Sequence, residues 1–418
     1  MSLKLVSLFG MAVMIFLAWL CSLNRKIFPW RTVLWGLGLQ FLFALFILRT
    51  PVGAAIFQVA ERAVLKLNDV AVEGASLVFG PLANAGLLRE KFGPGNAPIF
   101  AILISATIIV VSSLSSLLYH WGILQRVVHA AAWVMRWAMR TSGSETLATA
   151  ANIFIGQTEA PLLIKPYIPR MTLSELLALM VGGMATIAGG VLAVYSEFGR
   201  QAGYPGMAGH LIAASVMSAP AALMISKIIL PETEPSDTAS EAPMKIERTA
   251  TNSIDALCRG ATDGLQLSLN VMAMLIAFVA AVALVNFLIG YVLRPFDLHL
   301  TLQTVFGWAN APIAWLMGIP AKDCVPVGQV LGERIVLNEL MGYLSLTQLR
   351  SGLDERSFIL ATYALCGFAN FGSVAVQIGG IGALAPDRRP DLARLGIRAM
   401  IGGLLACYLT ATVVGLLI

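Results

Sequence analysis

GSETLATAANIFIGQTEAPLLIKPYI, residues 143–168, is apolar at both ends and interrupted in the middle by GQTEAP, Gly156–Pro161. A clean bilayer span is about 20 predominantly apolar residues, and this segment is not one. Residues 300–346 behave in the same way, being apolar around a polar patch that runs from Lys322 to Asn338 and Glu339. Each segment is followed by two long apolar runs, and the first run of each pair has a weak centre. That centre is TIAGG (Thr186–Gly190) in one half and GFANFGS (Gly367–Ser373) in the other. Hairpin, broken helix, helix therefore occurs twice. If the two hairpins enter from opposite sides, the halves are inverted repeats, an architecture of secondary transporters with the substrate near the midplane.

The rest of the chain agrees with a membrane setting. Of 418 residues, 58% are hydrophobic and only 12% charged, and mean hydropathy is +0.80. A soluble domain carries about 25% charged residues, so disordered proteins, soluble enzymes and nucleic-acid binders are excluded. The net charge of +5 is read as loop lysine and arginine that set orientation. Apolar runs occur near 5–22, 32–48, 98–118, 172–196, 209–230, 265–293, 355–378 and 397–418. The expected fold is all-α and polytopic, with eight transmembrane helices plus two re-entrant hairpins. Residues 1–22 are read as the first span, since no small-x-small cleavage site closes the run. Arg25, Lys26 and Arg31 place the first loop in the cytoplasm, and hence both termini outside. Two stretches, 52–67 and 122–140, read as amphipathic interfacial helices; the second carries Trp133 and Trp137 beside Arg126, Arg136 and Arg140. PETEPSDTASEAPMKIER, 231–248, reads as a polar linker. Five scattered cysteines and four unclustered histidines (His120, His129, His210, His299) suggest no disulfide framework or metal centre.

Glu159 and Glu339 are the informative charges. A carboxylate at a helix centre costs on the order of 2.5–3.5 kcal/mol on insertion scales, so each is a functional candidate. Non-helical backbone at membrane depth is tolerated only where it is buried in protein or lines a water-filled cavity. Gly156, Pro161, Gly189, Gly190, Gly367 and Gly372 loosen helices at such places. Gln157, Thr158, Glu159, Asn338, Glu339, Asn370 and Ser373 would then share one pocket of amides, hydroxyls and two carboxylates. That suits a neutral polyhydroxy or heterocyclic solute better than a phosphate or an amino acid. Ser142 and Glu145 form a capping-box pattern at the start of the first hairpin.

At these motifs the chain resembles the concentrative nucleoside transporter family, in its bacterial, sodium-coupled type. GQTEAP at 156–161 looks like that family's first-hairpin motif, and GERIVLNELMGY at 332–343 is similar to its G-x-K-x-x-x-N-E-F-x-A pattern. CGFANFGS at 366–373 resembles its broken seventh span, and DALCRGATDGLQLSLNVMAMLIAF at 255–278 its sixth. The resemblance implies a homotrimer in the bacterial inner membrane and elevator-like sodium symport of nucleosides such as uridine. It implies scaffold parts at 1–140 and 249–299 and transport parts at 141–230 and 300–418, with the linker at 231–248 between them. Base-binding positions fall on Gln157, Thr158 and Glu159, with Val191 beside the base. Ribose positions fall on Glu339, Asn370 and Ser373, and an aromatic position on Phe368. The family's sodium site falls on the side chains of Asn152 and Thr186 and the carbonyls of Ile155 and Ile187. Arg334 stands where the pattern has Lys, Leu340 where it has Phe, Gly342 where it has Ala, and Thr186 where it has Ser. Thr186 keeps a hydroxyl, which favours sodium, and proton coupling is the alternative. A membrane-embedded enzyme and a channel are the competing classes. The scattered histidines disfavour the first, and two hairpins, each with its own carboxylate, disfavour the second.

Overall fold

The computed structural model describes residues 2–92, 99–238, 250–294 and 300–418. The later part of the linker, 239–248 with Lys245 and Arg248, and His299 lie outside these residues. The described chain is helical, without a strand among the described residues. The first six helices are α1 (Leu3–Leu20), α2 (Trp30–Arg49), α3 (Pro51–Phe79), α4 (Ala85–Phe92), α5 (Phe100–His120) and α6 (Ile123–Met139). The first hairpin is α7 (Gly143–Ala151) and α8 (Ala160–Leu163), followed by the interrupted pair α9 (Leu173–Ala185) and α10 (Gly189–Gln201), then α11 (Met207–Ile229). After α12 (Ser253–Leu293) and α13 (Leu302–Leu316) comes the second hairpin, α14 (Ala321–Val336) and α15 (Glu339–Gln348). The interrupted pair α16 (Glu355–Leu365) and α17 (Phe371–Leu384) and the final α18 (Arg389–Leu417) complete the chain. Each of the eight expected spans falls on one of these helices or interrupted pairs, and the order hairpin, broken helix, helix is present twice.

Seven stretches among the described residues are long and apolar enough to cross a membrane. One of them is Glu61–Leu88, where the chain stays helical well beyond the amphipathic stretch expected at 52–67. Thr50 caps α3 by accepting a hydrogen bond from the Gly53 N–H at 2.9 Å, and the helix then runs for 29 residues. The apolar pattern resumes beyond Lys66, and no proline intervenes before Pro81. Ala71 and Ala75 pack against Ala106 of α5. The amide of Asn68 donates to the Ala193 carbonyl at 3.1 Å, tying α3 to α10. Residues 123–139 form an amphipathic helix, as expected for 122–140. α6 buries Val128, Met135 and Met139 and exposes Trp133 and Trp137, the latter edge-on to Trp35 at 5.6 Å.

Lipid tails are as apolar as leucine, so close packing rather than water exclusion joins helices in a bilayer. α5 and α12 meet across small residues: a Cβ at Gly260 would lie 2.6 Å from the Ser112 carbonyl oxygen, and one at Gly264 would lie 2.8 Å from Ile109. α13 and α14 meet in the same way, where a Cβ at Gly328 would lie 2.5 Å from the Gly307 carbonyl. α11, buried over nearly its whole length, packs against α2, α9 and α18.

The bases of the hairpins are tied by charge. Ser142 and Glu145 form the expected capping box, and Thr172 and Glu175 form a second one at α9. Lys227, from the last turn of α11, pairs with Glu145 at 2.8 Å and donates to Ser174 Oγ at 2.9 Å. Residues 231–238 are not a free linker. Thr238 accepts from the Gly143 N–H at 3.1 Å through its carbonyl, Thr172 Oγ1 donates to Glu232 at 2.7 Å, and Ser236 and Thr238 both donate to Glu175. Polar residues that cannot build an apolar core here complete a buried ionic cluster instead.

Removing one member of a buried ion pair strands the other. Lys227→Met is expected to destabilise the protein by about 3–5 kcal/mol, and Lys227→Met with Glu145→Gln to recover most of that loss. Thermal unfolding in detergent micelles measures both; equal losses would mean that the pair holds nothing together by charge.

Candidate functional site

Four interruptions converge. The tip of the first hairpin is Asn152–Glu159, and that of the second is Leu337–Asn338. The breaks are Thr186–Ala188 between α9 and α10, and Cys366–Asn370 between α16 and α17. The breaks approach each other closely: a Cβ at Gly367 would lie 2.6 Å from the Met184 carbonyl oxygen and 2.9 Å from the Ala185 carbonyl carbon. Only glycine permits that contact. α18 covers it from behind, where a Cβ at Gly403 would lie 2.8 Å from Met184 and 3.1 Å from Ala369.

Each break starts a new helix whose first N–H groups need acceptors. Asn338 Oδ1 accepts from the Met341 N–H at 2.9 Å, and Asn370 Oδ1 accepts from the Ser373 N–H at 2.8 Å. Asparagine is among the preferred residues for this position. Capping consumes the carbonyl end of each side chain and leaves the NH2 end free to work. The Asn370 amide donates to Glu339 Oε2 at 2.9 Å, and the Tyr195 hydroxyl donates to Glu339 Oε1, also at 2.9 Å. The Glu339 carboxylate is thus held by two neutral donors, with acceptor capacity left over. Tyr195 is itself stacked on Tyr343 at 4.3 Å.

The first hairpin reaches the same place. Gln157 donates to Ser373 Oγ at 3.2 Å and accepts from Gln377 at 3.0 Å. Gln377 also donates to the Met180 carbonyl at 3.0 Å, so a line of amides joins hairpin tip, α17 and α9. Thr158 and Glu159 are open on the tip, while Val191 and Phe368 form apolar flanks. Gln157, Thr158, Glu159, Val191, Glu339, Phe368, Asn370 and Ser373 all line one cavity of about 1800 Å³. Its opposite wall comes from α5 and α12, with Ser112, Ser116 and Tyr119 on one and Asp263, Gln266 and Asn270 on the other.

Asn152, Thr186 and Ile187 lie behind this wall, fully buried, and Ile155 at its edge. The Asn152 NH2 donates to the Ala148 carbonyl at 3.1 Å, which fixes the amide and turns Oδ1 the other way. That oxygen is buried and has no hydrogen-bond partner. An orphaned acceptor of this kind is costly unless a ligand completes it. Thr186 Oγ1 donates to the Gly182 carbonyl at 2.9 Å, so its lone pairs face outward. α7 and α9 meet one turn earlier, where a Cβ at Gly182 would lie 2.8 Å from Thr149 Oγ1. Nearby carbonyls are sorted: Ile153 accepts from Ser215 at 3.1 Å and Phe154 from the Gly189 N–H at 3.3 Å. Those of Ile155 and Ile187 accept no hydrogen bond among the described residues. The donor set is all neutral oxygen, which fits a hard monovalent cation.

Two contributors escape a reading of the motifs alone. Tyr195 stands four residues after Val191, and Gln377 four after Ser373, each on the same helix face as its predecessor. That spacing was the available signal. Asp263, Gln266 and Asn270, at helical spacing in an apolar span, are the corresponding signal for the opposite wall.

Known proteins resemble this chain over nearly its whole length. Family profiles described as the Na+ dependent nucleoside transporter C-terminus and N-terminus match residues 210–415 and 9–82. One described as nucleoside recognition matches 101–202. A Haemophilus influenzae protein described as an uncharacterized transporter is 42% identical over 99% of this chain and 98% of its own length. Sodium/nucleoside cotransporter 2 of Rattus norvegicus is 38% identical over 99% of this chain and 63% of its own length. The solved structure of CNTnw in an inward-facing substrate-bound state superposes with a TM-score of 0.92 at 38% identity, covering 99% of this chain and 97% of that one. A CNTnw variant in an outward-facing state also gives 0.92, at 37% identity and with 100% and 98% covered.

The crossing at Gly367 is directly testable. Gly367→Ala drives a methyl into backbone and is expected to cost about 1–3 kcal/mol or more. Gly379→Ala, on α17 with nothing within 4 Å of the added carbon, is expected to be neutral or slightly stabilising. Thermal unfolding of the two variants side by side separates a close-approach requirement from a general intolerance of change in α17.

Proposed function

The chain belongs to the Na+-dependent nucleoside transporter family, and we propose that it imports nucleosides by sodium symport through an elevator-like exchange of access. The observation that carries this reading is Glu339, a buried carboxylate on the cavity wall held by the neutral donors Tyr195 and Asn370. A carboxylate neutralised by an adjacent arginine would have its lone pairs engaged. This one keeps lone pairs for hydroxyl donors, which a ribose presents in a fixed pair. Gln157, Thr158 and Glu159 offer both donors and acceptors at the opposite end of the site. That mixture matches the edge of a nucleobase, and Val191 and Phe368 flank its faces.

Sodium enters behind the substrate. In this reading it is held by Asn152 Oδ1, Thr186 Oγ1 and the carbonyls of Ile155 and Ile187. None of these oxygens titrates near neutral pH, which favours sodium over a proton. All four ligands belong to the first hairpin tip and the α9–α10 break, the two elements that present Gln157 and Val191. Binding of the cation would order the surface on which the base rests. By linkage, sodium must then tighten nucleoside binding by the factor by which nucleoside tightens sodium.

The cavity wall runs out to Tyr119, Lys165 and Arg259. With α3 taken to lie along the membrane surface, the orientation expected from Arg25, Lys26 and Arg31 would put these residues at the cytoplasmic end, and the conformation would be inward-facing. The hairpins, interrupted pairs, α11 and α18 form the transport part of this proposal. α1–α6 and α12 form the scaffold. The assembly implied by the family resemblance is a homotrimer in a bacterial inner membrane.

Uptake of labelled uridine into proteoliposomes, with an inward sodium gradient against a potassium control at fixed pH, tests the reading. Accumulation above equilibrium in sodium alone is expected; uptake driven only by outside acid would move the coupling ion to the proton. Chemically altered uridine would indicate an enzyme, and equilibration without accumulation a channel. Glu339→Gln is expected to weaken ribonucleoside binding by about 1.5–3 kcal/mol, the worth of a charged hydrogen bond. Analogues lacking the ribose hydroxyls should lose much less, and equal losses would remove Glu339 from ribose recognition.

A further inference from the structure

Arg334 is completely buried and forms no ion pair among the described residues. A cation at this depth persists only if its protons find acceptors. Those acceptors come from two other helices. One terminal NH2 donates to the Ala364 carbonyl in the last turn of α16, just before the Cys366–Asn370 break. The other donates to Cys407 Sγ of α18 at 3.2 Å. That sulfur lies 3.1 Å from the Cys366 carbonyl and 3.5 Å from the Ala185 carbonyl, the last of α9. All three carbonyls belong to helix C-termini, which lack intrahelical partners and carry partial negative charge. A single cation and a single thiol therefore gather the ends of both interrupted helices. Gly367 crosses at the same point, with a Cβ there only 2.8 Å from Cys407 Sγ.

The geometry points to Arg334 and Cys407 as positioning residues that couple the sodium side of the site to the nucleoside side. This inference rests on the proposed sodium symport. Ala185 precedes Thr186, the sodium-side hydroxyl, and Cys366 opens the break that ends at Asn370, which holds Glu339. A displacement of the α9 terminus reaches Asn370 through Cys407, and Arg334 fastens that sulfur to α14, five residues ahead of Glu339. The guanidinium fork matters because it meets two acceptors on different helices at once, which a lysine ammonium reaches less well.

The test is a coupling measurement on purified full-length protein. Uridine dissociation constants are measured in saturating sodium and in potassium, and their ratio is the coupling factor. Cys407→Ala removes the bridging sulfur and leaves Arg334 its hydrogen bond to the Ala364 carbonyl. It is expected to lower the factor about two- to thirtyfold, while leaving uridine affinity in potassium within twofold of wild type. Arg334→Lys keeps the charge but loses the fork, and is expected to lower the factor as well. A wild-type factor in Cys407→Ala overturns the proposal whatever Arg334→Lys does. So does an equal loss of affinity with and without sodium, which is the signature of a merely structural role. A factor of one in the wild-type protein would instead overturn the sodium-symport reading.

Discussion

Two helices broken at their centres cross with backbone against backbone at Gly367, and the rest of the site follows from that contact. A broken helix leaves N–H and C=O groups without partners. In a bilayer such groups must be buried in protein or face a wet cavity. Here the two solutions are used on opposite sides of the break. The C-terminal ends of α9 and α16 are buried, and Arg334 and Cys407 reach their carbonyls. The N-terminal ends of α10 and α17 open onto the cavity. The polar wall is therefore less an addition to the fold than the exposed side of the same interruption.

Charge is distributed in keeping with this division. At the hairpin bases, carboxylates have cationic or multiple hydroxyl partners: Glu145 with Lys227, Glu175 with Ser236 and Thr238. Asp323 likewise accepts from Ser357 at 2.6 Å, beside a Lys322–Asp354 pair. These contacts hold each hairpin root to its neighbouring helices. At the second tip the hydrogen-bond donors to Glu339 are neutral. A neutral partner can be exchanged for a solute hydroxyl at small net cost, whereas breaking a buried ion pair leaves an uncompensated charge. Firm roots and exchangeable tips are what a site that binds and releases needs.

Much of this was legible in the sequence because it is written in local signals. Runs of apolar residues marked the spans, Gly and Pro in apolar surroundings marked the breaks, and Ser142 with Glu145 marked a cap. Glu159 and Glu339 were both flagged by cost alone, but cost does not separate them. The structure leaves Glu159 on the open tip and buries Glu339 between two donors. What the sequence concealed was decided by partners distant along the chain. α3 extends beyond Leu67 because α5 and α10 receive it. Residues 231–238 fold because Glu175 and the Gly143 amide await them, although their composition reads as linker. Tyr195 and Gln377 are ordinary residues of apolar helices until a carboxylate and an amide arrive from elsewhere.

The arrangement also constrains how cation and solute could communicate. Asn152 Oδ1 is an acceptor without a partner, on a hairpin tip whose backbone is joined to the α9–α10 break by the Gly189 N–H and Phe154 carbonyl. In the proposed function a cation completing that acceptor would restrict the tip, and the solute would then meet Gln157, Thr158 and Glu159 already ordered. The ordering entropy would be spent once and shared by both ligands, which would yield positive cooperativity without direct contact between them. The amide line from Gln157 through Gln377 to Met180 returns that restriction to α9, one and a half turns before Thr186. Coupling in this fold thus needs no large rearrangement within the transport part. It would need the breaks to remain in register, and on the inference drawn above the residues that gather their carbonyl ends would bear on transport although they touch neither ligand.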